Sequence, residues 1–234
     1  MDKQIQGLLE KGKLKDLHYN RGKPKDWSCD TGSISLDIHL DGGVKPGIFR
    51  ISGEFESGKT SFALNLAKRF QKEVENSFVV YINAEGRLTP ELIDRIGIDT
   101  NEDKWFCFES NYLEGALGMI RELALNNAED RVYMFIMDSS DALIRKDDED
   151  NLSKKGFNGP QKIAGGASVF SVAGKALSLP ISRFGHSLII LSQIRTKMNT
   201  QTGKVGTVQS GGKALGFYSS TIVEIRPLWT DLFI

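Results

Sequence analysis

At 234 residues the chain is long enough for one large α/β domain, and any second module must be small. Hydrophobic residues at 40% and charged residues at 26% are ordinary for a globular protein. Thirty Lys and Arg balance thirty Asp and Glu, which excludes a protein held on nucleic acid by bulk positive charge. No apolar run approaches the ~20 residues of a membrane span. The N-terminus lacks the apolar core of a signal peptide, and Cys29 and Cys107 lie outside any metal-ligand spacing, so the expectation is reduced thiols in a cytoplasmic protein with no membrane partner.

In chain order, residues 2–11 carry Ile5, Leu8 and Leu9 at the spacing of a short amphipathic helix, and residues 11–25 read as a basic linker or flexible arm. Residues 1–26 are therefore set apart from a main domain over 27–234. There, strands and helices are expected to alternate: a strand at 49–52, a helix at 61–72, a strand at 78–83 and a helix at 90–96. A strand follows at 105–108, a helix at 113–126 and strands at 132–137, 188–191 and 221–225. Alternating βα units with apolar strands imply an α/β domain with a mainly parallel sheet flanked by helices. Two segments break this rhythm: 145–166, charged and Gly-rich, and 196–212, polar and Gly-rich. Long loops of that kind inside a compact domain are often functional.

Residues 53–60 read Gly53-Glu54-Phe55-Glu56-Ser57-Gly58-Lys59-Thr60, the spacing G-x-x-x-x-G-K-[ST], between a strand and an amphipathic helix starting near Ser61. Glycines let backbone N–H groups curl around phosphate oxygens, and the helix adds its positive N-terminal end. Lys59 is placed to reach β- and γ-phosphates, and the Thr60 hydroxyl to ligate Mg²⁺. Gly53 to Ser61 are the expected ATP-binding residues.

Three polar residues end or follow apolar strands at the edge where parallel sheets bind ligands. Asp138 closes VYMFIMD and is either the acid that organises Mg²⁺ or the start of a turn. Glu85 follows FVVYIN and is either a general base or a solvated loop glutamate. Gln193 ends SLIILSQ and is either a group that senses the γ-phosphate and relays its loss to the next segment, or a surface amide.

Several segments together resemble the bacterial RecA and phage RecA-like recombinase family. They are Asp30–Asp37 (DTGSISLD), Gly53–Thr60, Tyr81–Gly97 (YINAEGRLTPELIDRIG), Ile136–Leu143 (IMDSSDAL), Ser192–Arg195 (SQIR) and Gly211–Ser220 (GGKALGFYSS). They occur in family order over roughly residues 30–226. The resemblance implies a RecA-like P-loop NTPase core, a DNA-dependent ATPase that self-assembles into a helical filament on single-stranded DNA for recombination and repair. It also implies ATP and Mg²⁺ as cofactors, with Glu85, Lys59 and Gln193 as catalytic residues and Thr60 and Asp138 at the metal. DNA-binding loops are expected near 145–168 and 195–212. Lys154, Lys155, Lys162, Arg195, Lys197, Lys204, Gly211 and Gly212 would meet phosphates. Residues 1–26 fall at the place of a polymerisation arm, and Lys213 at that of a cation acting across a subunit interface. Leu92 stands where the family has an aromatic that stacks on adenine. The alternatives are a DNA-coating or annealing protein with a slow ATPase, and a RecA-fold motor or regulator without strand exchange.

Overall fold

Apolar runs without strict two-residue alternation become strands buried on both faces. In the computed structural model, which describes residues 4–5, 7–8, 25–127, 129–156, 165–198, 205–209 and 212–226, this holds for β1 (Gly47–Gly53), β2 (Ser77–Asn83) and β4 (Val132–Asp138), each buried at every residue. The remaining strands are β3 (Trp105–Phe108), β5 (Ser187–Met198), β6 (Val205–Gln209) and β7 (Thr221–Ile225). The helices are α1 (Ile34–His39), α2 (Lys59–Glu73), α3 (Pro90–Ile96), α4 (Leu113–Leu125), α5 (Lys146–Lys155), α6 (Gly165–Arg183) and α7 (Gly212–Tyr218).

Six strands lie parallel in the order β3-β2-β4-β5-β1-β7, and β6 pairs antiparallel with the outer part of β5. Successive side chains of each strand point to opposite faces. Val79, Tyr81, Met134, Ile136, Ile189 and Leu191 therefore pack with Leu64, Leu66 and Phe70 of α2 on one face. Val80, Ile82, Phe135, Met137, Leu188 and Ile190 pack with Ile120 of α4 and Leu177 and Ile181 of α6 on the other. Each such large side chain contributes roughly 1.5–3 kcal/mol by leaving water. The expected α/β architecture is what these residues build.

Parallel register sets the strand ends flush. Gly53 pairs with Gln193, and Asn83 with Asp138, so β1, β5, β2 and β4 deliver their C-terminal residues to one edge.

Both segments that break the sequence rhythm contain regular structure. Residues 146–155 form α5, whose first turn carries Asp147, Asp148 and Glu149 and whose last turn carries Lys154 and Lys155, a charge order that suits the helix dipole. Where the polar composition of 196–212 suggests a structureless loop, β5 instead runs on to Met198 and pairs Ile194–Met198 with Val205–Gln209. Backbone pairing there does not require an apolar face. The sequence pattern does not single out α6 either, because Gly174 and Pro180 lie inside it. Gly174 has a packing reason: a Cβ there would come within 2.2 Å of the Tyr218 ring, so its absence lets α6 approach α7. The helix expected at 2–11 is seen at the described residues Gln4, Ile5, Gly7 and Leu8; most of the expected linker at 11–25 lies outside the described residues. Among the described residues no helix is long and apolar enough to cross a membrane.

Candidate functional site

β1 hands the chain to a tight loop that returns as α2. A Cβ on Gly53 would meet Ser57 Oγ at 2.4 Å and the Ile225 carbonyl at 2.6 Å, so the loop closes only over a glycine. Gly58 caps α2 at φ +89°, a left-handed conformation that favours glycine, and no side chain caps the helix. The first turn holds no acidic residue. Its N–H groups have no intrahelical acceptor and suit an anion. Lys59 Nζ donates to the carbonyls of Gly53 at 3.1 Å and Glu54 at 2.5 Å, folding back over its own loop. Burial lowers the Lys59 pKa, while the carboxylates of Asp138, Glu85 and Asp141 oppose that shift.

Asp138 sits at the end of β4, with one carboxylate oxygen, Oδ2, accepting from the Thr60 hydroxyl at 2.8 Å and the Tyr81 hydroxyl at 2.5 Å. Burial raises its pKa and the two hydrogen bonds pull it back. Such a desolvated carboxylate gains from a cation beside it. The Asp138 carbonyl accepts from the N–H groups of Ala84 at 2.8 Å and Glu85 at 3.3 Å, which ties the residues after β2 to the end of β4. Glu85 Oε1 accepts from the Ser139 hydroxyl, and its Oε2 lies 3.3 Å from the Arg87 guanidinium. Arg87 also lies over the Phe55 ring, 5.3 Å from its centroid.

At the end of β5 the Gln193 N–H donates to Asp141 Oδ2 at 2.9 Å. Behind it Arg50 is buried within β1 and donates from Nε to Ser192 Oγ at 2.9 Å. Burial lowers the Arg50 pKa, and Asp141 favours its charged form. A charged residue in a buried strand is costly unless paired; here it anchors the point where β5 leaves the sheet.

These groups surround a cavity of about 270 Å³, bordered by Phe55–Ser61, Glu85, Arg87, Asp138, Ser139 and Gln193. The donor set suits a polyphosphate: N–H groups, an ammonium, a guanidinium and hydroxyls converge there. Among the described residues no group of three or more His, Cys, Asp or Glu is placed to hold a metal. Thr60 and Asp138 set a hydroxyl and a carboxylate side by side, a pair of the kind that suits Mg²⁺, which takes few protein ligands and completes its shell with water and phosphate oxygens.

The structure thus brings together Lys59, Thr60, Glu85, Asp138 and Gln193, all singled out from sequence. Gly53 and Glu54 are not among the residues that border the cavity; their carbonyls accept from Lys59. Lys154 and Lys155 are exposed at the end of α5. Gly212 opens α7, while Arg195 and Lys197 lie on the outer part of β5, where backbone alone is described. Lys162, Lys204 and Gly211 lie outside the described residues, as does the Lys213 side chain. Leu92 is half-buried and packs against the core on the α2 face. Sequence reasoning missed Tyr81, Ser139, Asp141 and Arg87. Arg87 carried a signal, a cation two positions beyond a candidate base; Tyr81 looked like any apolar strand residue.

The family described as the RecA N-terminal domain matches residues 2–230. Protein RecA of Aquifex pyrophilus is 34% identical over 200 residues, covering 85% of this chain and 54% of that protein. Protein RecA of Fusobacterium nucleatum is 34% identical over 205 residues, covering 87% and 51%. Protein RecA of Campylobacter fetus is 31% identical over 230 residues, covering 97% and 63%. The chain therefore spans between half and two thirds of these curated relatives.

Proposed function

Because the chain belongs to the RecA family, we propose that it is an ATP-hydrolysing recombinase core that binds single-stranded DNA, assembles into a helical filament and serves recombination and repair. The observation that carries this reading is the phosphate loop joined to a metal-suited acid, with Thr60 bonded to Asp138 across the sheet edge.

In this reading the N–H groups of the loop and α2 hold the phosphates of ATP, and Lys59 leaves the Gly53 and Glu54 carbonyls to meet the β- and γ-phosphates. Thr60 and Asp138 hold Mg²⁺, and Tyr81 fixes the Asp138 carboxylate. The metal supplies positive charge that offsets the phosphates. Glu85, oriented by Ser139, takes the proton from the attacking water. Gln193 donates its side-chain amide to the γ-phosphate. Because Gln193 lies in the strand that continues into the β5–β6 hairpin, that bond links nucleotide state to the hairpin. Lys154 and Lys155 at the end of α5, Arg195 and Lys197 on the outer part of β5, and Gly212 at the start of α7 are, with Lys162, Lys204 and Gly211, the residues expected to meet DNA phosphates.

The test is ATP hydrolysis by the full chain with and without single-stranded DNA, alongside the K59A variant. DNA should raise turnover, and K59A should lose nucleotide binding while keeping its fold, since Lys59 is not a packed core group. Turnover that ignores DNA would favour a coating or annealing protein over a DNA-driven ATPase. Nucleotide binding of wild-type strength in K59A would remove the phosphate-loop assignment.

A further inference from the structure

Arg87 has no role in the reading above, yet it borders the same cavity as Lys59 and Thr60. Its guanidinium meets two groups. One is the Glu85 carboxylate at 3.3 Å, the other the face of Phe55, a residue of the phosphate loop itself. Gly86, between Glu85 and Arg87, has φ +65° with open space around a notional Cβ, so its demand is conformational. It turns the chain at the point that separates the acid from the cation. The Arg87 side chain is 64% exposed and Glu85 17%, so the cation is free to swing while the acid is held by Ser139.

We infer that Arg87 is a second phosphate-binding cation, shared between the Glu85 carboxylate and the terminal phosphate of a nucleoside triphosphate. The inference rests on the nucleotide reading of the cavity. An ion pair this exposed contributes little and is readily exchanged. A terminal phosphate carries more charge than a carboxylate and accepts the planar guanidinium fork through two oxygens. Phe55 keeps the guanidinium at the mouth of the phosphate loop by a cation–π contact, so exchange is a short swing. The swing brings positive charge to where phosphate charge builds and releases the Glu85 carboxylate from its ion pair. Arg87 thereby distinguishes triphosphate from diphosphate.

The experiment measures affinity for a hydrolysis-resistant ATP analogue and for ADP, both with Mg²⁺, in the full chain and in R87A, R87K and K59A. R87A should weaken the triphosphate analogue by about 10- to 100-fold, as expected for a charge-assisted contact, and leave ADP within about twofold. R87K should recover part of the difference, because it restores the charge without the fork. K59A should weaken both nucleotides. If K59A weakens both while R87A keeps the wild-type ratio of the two affinities, Arg87 does not read the terminal phosphate and the nucleotide site stands. If K59A weakens neither, the nucleotide reading falls and the Arg87 inference with it.

Discussion

Replacing Tyr81 by Phe tests whether the acid at the end of β4 is held by its neighbours or merely tolerated. The ring stays, stacked on Trp105 with centroids 5.6 Å apart, so packing is preserved and only the hydroxyl is lost. That hydroxyl donates to Asp138 Oδ2, which then keeps Thr60 as its donor. A hydrogen bond to a charged group contributes about 1.5–3 kcal/mol. With Thr60 still in place, a loss near 2 kcal/mol is expected, or roughly 4–8 °C in Tm for a domain of this size. The pH dependence has a definite sign. Burial first raises the Asp138 pKa, and the Tyr81 and Thr60 hydrogen bonds oppose it. A carboxyl whose pKa is raised on folding favours the fold when protonated; that contribution is complete below its unfolded pKa and is lost as pH rises through the folded value. Y81F raises the folded value further, so its deficit should be largest well above that value and shrink as pH falls through it, as the acid becomes neutral and needs its donor less. Thermal unfolding followed by circular dichroism across a pH series, without divalent cations or nucleotide, gives the comparison. A Tm deficit that is the same at every pH, or absent, refutes the argument that Tyr81 supports a charged Asp138.

E85Q should keep nucleotide binding but slow hydrolysis about 10²- to 10⁴-fold in single-turnover assays; unchanged turnover would place water activation on another residue. Q193A should bind nucleotide normally, yet its ratio of single-stranded-DNA affinities with ATP analogue and with ADP should fall by about 10- to 150-fold, read at one salt concentration. A wild-type ratio would mean that the coupling runs by another route. D141A leaves Arg50 buried in β1 without its nearby carboxylate and should cost about 3 kcal/mol by urea unfolding, the low end for a buried pair losing one partner, because Asp141 is itself only half-buried. A cost within experimental error would show that the buried guanidinium does not depend on Asp141.

The strands, and the placement of Asp138, Glu85 and Gln193 at or just past their ends, were legible because long apolar runs announce buried parallel strands whose C-terminal ends share one edge. The helix after the phosphate loop was legible from Phe62, Leu66 and Phe70, though it begins at Lys59, two residues before the expected start at Ser61. The β5–β6 hairpin was hidden because backbone pairing, not an apolar pattern, holds it. Helix α6 was hidden by Gly174 and Pro180, whose tertiary setting overrides their propensities. Among site residues, Lys59 and Thr60 were named by spacing alone. Tyr81, Ser139 and Asp141 became visible only when separate strands were brought side by side, since each acts on a residue more than fifty positions away.

β5 is the longest strand of the sheet at twelve residues, and its far end projects past the edge where its neighbours stop. Paired with β6, that projection is a two-stranded bar continuous with the core part of β5, with Gln193 at its root. From Gln193 to Met198 the bar extends about 16 Å at strand rise, so a tilt of about 10° at the root would sweep its tip through roughly 3 Å. If Gln193 bonds the terminal phosphate as proposed, such leverage would turn the gain or loss of that one hydrogen bond into a displacement comparable to the rise between stacked bases, with no hinge required along the way.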